Sequence, residues 1–313
     1  MKTLFSVILL LLLSANGFFF FFHQNAPGTI AYLNSINFST SVNGVCTGWG
    51  IDSQTPATTS RAYYTTNAGA TWNIASVPDT SRVLVSTEFI TSNIVYATGA
   101  MNGFFSSAFS SNGYNKLGLP TGNNRSIDFS KGAFFKSTDG GRTWKQFGTV
   151  PSYCYYMTYS DFINENSGMA LGSITDSLIP VQTTIMKTTN GGLNWINTLP
   201  SNIMREFKAI KFVNENLAFT AGLEYGDTTI SGIVMRTTNG GLNWTTLRND
   251  TINYTGVYFI NSNTGFLCGT DYNGGLILKT TNQGNSWEKV FSRDSLIMED
   301  LNFLNETGTG IVY

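Results

Sequence analysis

One eight-residue pattern recurs five times along this chain and constrains its fold more than any other feature. Each copy begins with Ser or Thr, has Asp or Asn third and Gly fifth, and ends with Trp. The five octets span residues 65–72, 137–144, 188–195, 237–244 and 280–287. Five of the six tryptophans close one of them. Such regular recurrence predicts a repeated supersecondary unit.

The composition of the octet predicts a tight turn between two strands. Asp or Asn at the third position can bond backbone amides two residues on, and Gly at the fifth supplies positive φ. The hydroxyl at the first position adds a second short-range bond. We expect the Trp to begin the next strand and to bury its face against a neighbouring sheet. These structural roles are predicted for Asn67, Trp72, Asp139, Trp144, Asn190, Trp195, Asn239, Trp244, Asn282 and Trp287.

A second motif, Phe-x-Asn-x-x-x-Gly-apolar-x-x-Gly, precedes each octet with some variation. Its copies span residues 38–48, 89–99, 162–172, 212–222 and 259–269. We interpret it as two strands, A and B, joined by a short polar turn. The segment before the octet gives strand C, and the Trp with the residues after it gives strand D. Trp-to-Trp spacings of 72, 51, 49 and 43 residues suit propeller blades, and an insertion at 100–132 explains the longest.

The octet resembles the Asp-box, also called the BNR repeat. Together with the Phe motif it resembles the photosystem II assembly and stability factor family, whose blades carry the same strand A–B signature. The resemblance runs from about Ser35 to the C-terminus. It implies a β-propeller fold, and secreted bacterial proteins with the same repeats have no link to photosynthesis.

We therefore predict an all-β fold, a β-propeller of four-stranded antiparallel blades with Asp-box turns. About five blades are complete and half of a sixth is present, so we expect a truncated gene product. The alternative is an open or partner-completed array with an exposed sheet edge. The propeller is assigned to residues 23–313, with blades at approximately 33–77, 83–150, 155–200, 206–249 and 254–292 and a partial blade at 299–313.

The N-terminal segment, residues 1–22, has the pattern of a signal peptide or an N-terminal anchor. Lys2 precedes an apolar run, and Ala15 and Gly17 are small residues suited to cleavage. The phenylalanines at 18–22 prolong that run to about twenty residues, which would also suffice for an uncleaved anchor. Either reading predicts a secreted, periplasmic or cell-surface domain.

Composition argues against several function classes. The net charge is −1, and charged residues make up 12% of the chain against about 25% in typical domains, which disfavours nucleic-acid partners. The lone histidine, His23, borders the signal segment, so His-based catalysis and His-based metal sites are not expected. Three cysteines are too few for a disulfide framework, and we expect Cys46 and Cys268 to be small buried residues. No metal or cofactor is predicted, and no membrane partner beyond the possible anchor.

The long connections are predicted between strands B and C, at residues 51–61, 100–132, 173–183, 223–231 and 270–273. Long connections concentrated on one side of the blades suggest a binding surface there. Aromatic residues there can stack on sugars or fill peptide pockets, or can simply be buried by their own loop. The candidate ligand-face residues in these connections are Phe104, Phe105, Tyr114, Tyr225, Asp271 and Tyr272. Tyr153 and Tyr155, in the D–A connection between the second and third blades, are expected on the same face.

No catalytic set stands out in the sequence. A glycosidase needs two carboxylates about 5–10 Å apart, and six acids fall in the predicted loops: Asp52, Asp128, Asp176, Glu224, Asp227 and Asp271. Ordinary surface charge explains six acids in solvated loops better than a catalytic pair does. We expect a non-enzymatic module that binds a protein or a glycan. The alternative is a glycoside hydrolase or carbohydrate-binding protein of the sialidase or xyloglucanase type.

Overall fold

The regular structure of the chain consists of β-strands. The computed structural model describes residues 7–11, 20–24, 32–51, 58–77, 83–101, 131–174, 182–199, 204–303 and 310–312. Every regular element in those ranges is a strand, which confirms the predicted all-β class. Over the same ranges, no helix has the length and apolarity needed to span a membrane.

The chain divides into two compact units, Met1–Phe147 and Gly148–Tyr313. In the first, β1 (Val7–Leu11) pairs antiparallel with β2 (Phe20–Gln24). Blade I consists of β3 (Tyr32–Phe38), β4 (Gly44–Ile51), β5 (Thr58–Thr65) and β6 (Asn73–Ile74). Blade II consists of β7 (Val83–Phe89), β8 (Val95–Met101), β9 (Lys131–Ser137) and β10 (Lys145–Gln146).

The second unit holds three further blades and a strand pair. Blade III consists of β11 (Tyr156–Phe162), β12 (Gly168–Ser173), β13 (Thr183–Thr188) and β14 (Ile196–Asn197). Blade IV consists of β15 (Arg205–Phe212), β16 (Ala218–Tyr225), β17 (Ile230–Thr237) and β18 (Thr245–Asp250). Blade V consists of β19 (Asn253–Phe259), β20 (Gly265–Thr270), β21 (Gly274–Thr280) and β22 (Glu288–Asp294). The last pair is β23 (Leu301–Phe303) with β24 (Gly310–Val312).

Each blade is an antiparallel meander in which neighbours in sequence are neighbours in the sheet. This confirms the predicted order A–B–C–D. The octet turn and the A–B turn therefore lie at one end of a blade, and the B–C connection lies at the other. We call these the octet end and the opposite end.

The octet turn is a hydrogen-bonded cage built on the first and third side chains. In blade II, the Ser137 Oγ accepts from the Gly141 amide at 2.9 Å and donates to Asp139 Oδ1 at 2.8 Å. The same Oδ1 accepts from the Thr143 amide at 2.9 Å. The predicted bond from the third residue to an amide two residues on is therefore wrong, because the acceptor reaches an amide four residues on. The Trp also stands one residue before strand D rather than beginning it.

Two successive residues of the octet, not one, have left-handed backbone angles. The fifth-position glycines have φ values of 78–88°, as predicted, and the fourth residues have φ values of 59–72°. This conformation directs the fourth amide at the A–B turn of its own blade. Gly140 donates to Asn93 O at 2.8 Å, and Gly191 donates to Asn166 O at 2.7 Å. The equivalent bonds join Ala68 to Val42, Gly240 to Asn216 and Gln283 to Asn263.

The A–B turn is shaped by the third residue of the Phe motif. The Oδ1 of Asn164 accepts from the amides of Asn166 and Ser167, both at 2.9 Å. Thr40, Thr91, Asn214 and Asn261 do the same in the other blades. These side-chain turns explain why Asn or Thr stands there.

The Phe of this motif joins the two turns into one packing unit. A Cβ added at Gly168 would lie 2.4 Å from the Phe162 ring, so only glycine leaves room for it. The other edge of Phe162 meets the octet Trp195 in a T-shaped contact at 5.9 Å. The same T-shaped contact joins Phe38 to Trp72 and Phe259 to Trp287.

Blades within a unit pack through the octets. Trp144 is 2% exposed and lies in an apolar cluster with Val45 and Ala62 of blade I. The Ser76 amide, just after strand D of blade I, donates to Arg142 O at 2.9 Å, and the Trp144 amide donates back to Ser76 O at 2.9 Å. The segment after strand D of blade I is thus hydrogen-bonded to the octet of blade II.

The cysteines are small buried residues without a disulfide. Cys46, Cys154 and Cys268 are all free and buried, which confirms the expectation for Cys46 and Cys268. Burial raises the pKa of each thiol to about 12. All three thiols therefore stay protonated and unreactive near neutral pH.

We predict that Gly241→Ala destabilises the protein by about 2–4 kcal/mol, because the new Cβ combines strain with overpacking. Gly241 has φ of +88°, and its Cβ would lie 2.5 Å from Met169 Cε. The control is Gly226→Ala, whose Cβ would meet its nearest atom at 3.3 Å. Urea unfolding of both variants checks this, and equal losses would contradict it.

The carboxylate of Asp139 makes one octet sensitive to acid. Partial burial acts to raise its pKa, but hydrogen bonds from Thr143 and Ser137 outweigh burial and hold that pKa below its usual range. A depressed folded pKa gives stability that is present above the unfolded pKa, about 3.9, and is lost as pH falls through the folded value.

We predict that Asp139→Asn removes this acid-dependent part of the stability and costs less than about 1 kcal/mol at pH 7. Asn67 shows why, since its Nδ2 donates to Thr71 Oγ1 at 2.9 Å where Asp139 accepts from Thr143. Asp139→Ala, which loses the three hydrogen bonds that the carboxylate accepts from Ser137 and Thr143, should cost about 1–2 kcal/mol. Thermal unfolding at pH 3–7 measures both, and an unchanged acid slope in the Asn variant would count against this explanation.

Candidate functional site

The opposite end of blades III–V carries most of the described candidate residues. In an antiparallel meander the B–C connection and the end of strand D both lie at this end. The predicted residues Phe104, Phe105 and Tyr114, and the acids Asp52, Asp128 and Asp176, lie outside the described residues. The candidate ligand-face residues that the structure describes all lie within residues 148–313.

Asp271 and Tyr272 occupy the short turn between β20 and β21. The Oδ1 of Asp271 accepts from the Asn273 amide at 2.8 Å and from the Gly274 amide at 3.1 Å. The carboxylate is therefore used to shape the turn. Tyr272 sits at the tip of that turn and is fully exposed, with a relative accessibility of 102%. A fixed turn thus presents an aromatic side chain to solvent.

Tyr153 and Tyr155 lie in the connection that leads into β11. Tyr153 is 43% exposed and Tyr155 is half-buried. Cys154 between them is fully buried, so this short segment is anchored while its flanking tyrosines face outward. Burial, followed by the neighbouring Cys154, raises the pKa of Tyr153. Tyr156, the next aromatic residue, is buried at the start of β11.

Tyr225 lies in a strand and not in a loop. The predicted connection 223–231 is shorter than expected, because β16 extends to Tyr225 and β17 starts at Ile230. The cross-strand pairs Leu223–Gly232 and Tyr225–Ile230 lengthen this hairpin. The Tyr225 hydroxyl donates to Glu206 Oε2 of the adjacent strand. Burial first, and then the Glu206 carboxylate, raise the pKa of Tyr225.

A polar network at the opposite end of blade IV was not predicted from the sequence. Arg205 Nε donates to Glu224 Oε2 at 2.7 Å across the start of β15 and the end of β16. The Asn249 amide group donates to the other oxygen of Glu224 at 3.2 Å. The side chains of Arg205 and Glu224 are only 12% and 23% exposed, so the pair is mostly withdrawn from water.

A second part of the network joins blades IV and V. The Arg248 guanidinium donates to Asp250 Oδ2 at 2.6 Å and to the Tyr254 hydroxyl at 2.7 Å. That hydroxyl donates in turn to Asp250 at 2.9 Å. Burial, followed by the Asp250 carboxylate, raises the pKa of Tyr254, so it stays protonated and able to donate. Beside it, Lys208 Nζ donates to Asn253 Oδ1 at 2.9 Å.

This network balances its own charge. Three cations, Arg205, Lys208 and Arg248, accompany three acids, Glu206, Glu224 and Asp250. In the described part of the chain, no group of three or more His, Cys, Asp or Glu residues is arranged to hold a metal ion. These charged residues lie at the start of strand A and at the ends of strands B and D. Charged residues at predicted strand ends are the sequence signal from which this network could have been predicted.

Known proteins resemble this chain in fold. No protein-family model and no curated protein sequence matches it. The structure of a GH74 enzyme from Niastella koreensis matches with a TM-score of 0.57 and 15% identity, over 88% of this chain and 43% of that one. A protein of unknown function from Dyadobacter fermentans matches with a TM-score of 0.51 and 10% identity, over 85% and 86% of the two chains.

YCF48 from Cyanidioschyzon merolae also matches, with a TM-score of 0.45 and 13% identity, over 92% of this chain and 94% of that one. This chain spans less than half the length of the Niastella enzyme. Identities this low establish architecture and not activity. Taken with the strand order of the blades, the matches to the Niastella and Dyadobacter structures identify the fold as an all-β propeller of four-stranded antiparallel blades.

We predict that Tyr254→Phe lowers stability by about 1–2 kcal/mol, because it removes a hydroxyl that bonds both Arg248 and Asp250. The matched control is Tyr272→Phe, which removes a hydroxyl from a fully exposed ring and should change stability by less than about 0.5 kcal/mol. Urea unfolding measures both variants. A Tyr254→Phe loss no larger than the control would show that the network contributes little.

Proposed function

We propose that this protein is a secreted, non-enzymatic Asp-box propeller that binds a protein or a glycan through the opposite end of its blades. It would be similar in kind to the photosystem II assembly factor-like proteins, without their photosynthetic role. The observation that carries the proposal is Tyr272, a fully exposed aromatic ring at the tip of a turn fixed by Asp271.

Exposed tyrosines on anchored segments suit recognition. A tyrosine supplies a large amphipathic surface and has few rotatable bonds to immobilise on binding. Tyr272 and Tyr153 are both exposed at the opposite end of their blades, and Tyr155 is partly exposed beside Tyr153. Buried Cys154 and the Asp271 turn hold the backbone beneath them. Rings held in this way can stack on a sugar face or pack against apolar peptide side chains.

The neutral polar network supports an uncharged or mixed ligand. Arg205 and Glu224 satisfy each other, as do Arg248 and Asp250. A ligand of strong single charge would find no unpaired opposite charge among these groups. Hydroxyl-rich glycans and peptide backbones, which need both donors and acceptors, fit such a surface better.

We predict that Tyr272→Ala weakens ligand binding at least tenfold and leaves stability unchanged, because the ring touches solvent only. The probes are a panel of soluble polysaccharides in affinity electrophoresis and, separately, a displayed random-peptide library. The control is Leu242→Ala, which removes a 65% exposed side chain from an octet turn. Selected ligands that bind Tyr272→Ala normally, or lose binding to Leu242→Ala, would place the site elsewhere.

A glycoside hydrolase is the alternative, favoured by the Tyr225–Glu206 hydrogen bond. Sialidases use a tyrosine nucleophile with an acidic partner, and Arg205 and Arg248 lie at the same end of blade IV. However, the raised pKa of Tyr225 disfavours its phenolate. Both arginines are also already paired with acids. Turnover of methylumbelliferyl glycosides that Tyr225→Phe and Glu206→Gln both abolish would establish the alternative; the binding proposal expects no turnover.

A further inference from the structure

The B–C hairpin of blade IV extends further than the B–C hairpins of the two neighbouring blades. Strand B has six residues in blade III, Gly168–Ser173, and six in blade V, Gly265–Thr270, but eight in blade IV, Ala218–Tyr225. The three strands start at the same position of the repeat, so the two added residues lie at the opposite end. The cross-strand pairs Glu224–Ser231 and Tyr225–Ile230 lengthen the hairpin there by about 7 Å.

This extension carries an accessible apolar pair on the side that faces blade V. Leu223 and Gly232 form the last buried pair on that side, and a Cβ added at Gly232 would lie 1.6 Å from the carbonyl oxygen of Ile252, where the chain enters blade V. Side chains two residues apart along a strand point to the same side, so Tyr225 and Ile230 continue this surface. Ile230 is 61% exposed, and Tyr225 is partly buried.

The apolar surface continues from blade IV to the tyrosine turn of blade V. Ile252 is partly buried and packs against the apolar cluster that the two blades share. Its Cγ2 lies beside Gly269 of β20, where an added Cβ would be 3.0 Å away. Strand β20 then leads directly into the turn that presents Tyr272. We call Tyr225, Ile230, Ile252 and Tyr272 the apolar step.

The chemistry of the apolar step suits a polypeptide better than a glycan. A tyrosine ring can stack on a sugar, but the branched aliphatic side chain of Ile230 has neither a flat π face nor a hydrogen-bonding group. Sugar hydroxyls placed against this side chain would lose hydrogen bonds to water without replacement. An apolar peptide side chain gains free energy by burying the same area. A continuous apolar surface, unlike a single exposed residue, is typical of a protein contact.

The charges around the apolar step restrict the partner further. The polar network of blades IV and V is neutral, with three cations and three acids. The B–C turns of the same two blades add Asp227 and Asp271 and no cation, so the net charge of these groups is −2. A partner segment that combines apolar side chains with Lys or Arg therefore complements this surface better than an acidic segment does.

We propose that the ligand of the opposite end is a polypeptide, and that an extended segment of it lies along the apolar step. One apolar side chain of the segment would pack against Ile230 and Tyr225, and another would contact Tyr272. A basic residue of the segment would complement Asp227 and Asp271. This inference rests on the proposed function, because both place the ligand at the opposite end, and it selects a protein over a glycan as that ligand.

The experiment selects a displayed library of random dodecapeptides on the immobilised full chain. A selected sequence is then made as a free peptide and titrated by calorimetry. Ile230→Ser should weaken its binding at least tenfold, and Tyr272→Ala should also weaken it. The matched control is Ile196→Ser, which alters an isoleucine that is 58% exposed on strand D of blade III and should leave binding unchanged.

Two further measurements accompany the titration. Urea unfolding should give the same midpoint for Ile230→Ser and the wild type, because the side chain is mostly exposed. Asp227→Asn should weaken the binding of a selected peptide that contains Lys or Arg, by a smaller factor than Ile230→Ser does. The selected sequences themselves should be rich in apolar and basic residues and poor in Asp and Glu.

The outcomes separate this inference from the proposed function. Selected peptides that bind Ile230→Ser as tightly as the wild type, or that lose binding to Ile196→Ser, would overturn the inference. A polysaccharide that binds the wild type but not Tyr272→Ala, with no peptide selected, would also overturn it and would leave the proposed function standing. If neither a peptide nor a polysaccharide binds at the opposite end, both are overturned.

Discussion

The hydrogen bond from the fourth octet amide to the A–B turn is the contact on which each blade depends. It requires two successive residues with left-handed backbone angles, and these angles explain the Gly-Gly pairs of three octets. Glycine adopts such angles without strain. In two octets a non-glycine residue, Ala68 or Gln283, adopts them at the fourth position, and the fifth position is still glycine. The bond fixes two turns at one end of the blade and leaves the other end free to vary.

Packing between blades uses the same residues a second time. The octet glycine that permits the turn also permits close approach to strand B of the preceding blade, as with Gly241 and Met169. The Trp that closes the octet fills the cluster between them. Turn geometry and blade packing therefore both constrain the fifth-position glycine of the octet. Asn can replace Asp at the third position, but the glycine is subject to both constraints. The tyrosine turns and the polar network at the opposite end are free of this double constraint.

The blades could be predicted from sequence because their signals are local. Spacing of Phe, Asn, Gly and Trp indicated the strand order, and the glycine at position five indicated its positive φ. The interactions that could not be predicted depend on register and distance. Each strand A carries a bulge, such as that between Phe207 and Ala209, which no residue type marks. The Arg205–Glu224 pair joins residues nineteen positions apart, and only the hairpin register brings them together. Tyr225 was expected in a loop because the extension of that hairpin has no distinctive sequence.

Native-state hydrogen exchange of the octet amides tests most directly whether the octet holds each blade together. If it does, the fourth and fifth amides of each octet, such as Gly240 and Gly241, exchange as slowly as amides of strand B, because they donate within the cage. The exposed Tyr272 amide should exchange much faster. Rapid exchange at Gly240 and Gly241, with strand B still protected, would show that the octet is not needed to keep the blade folded.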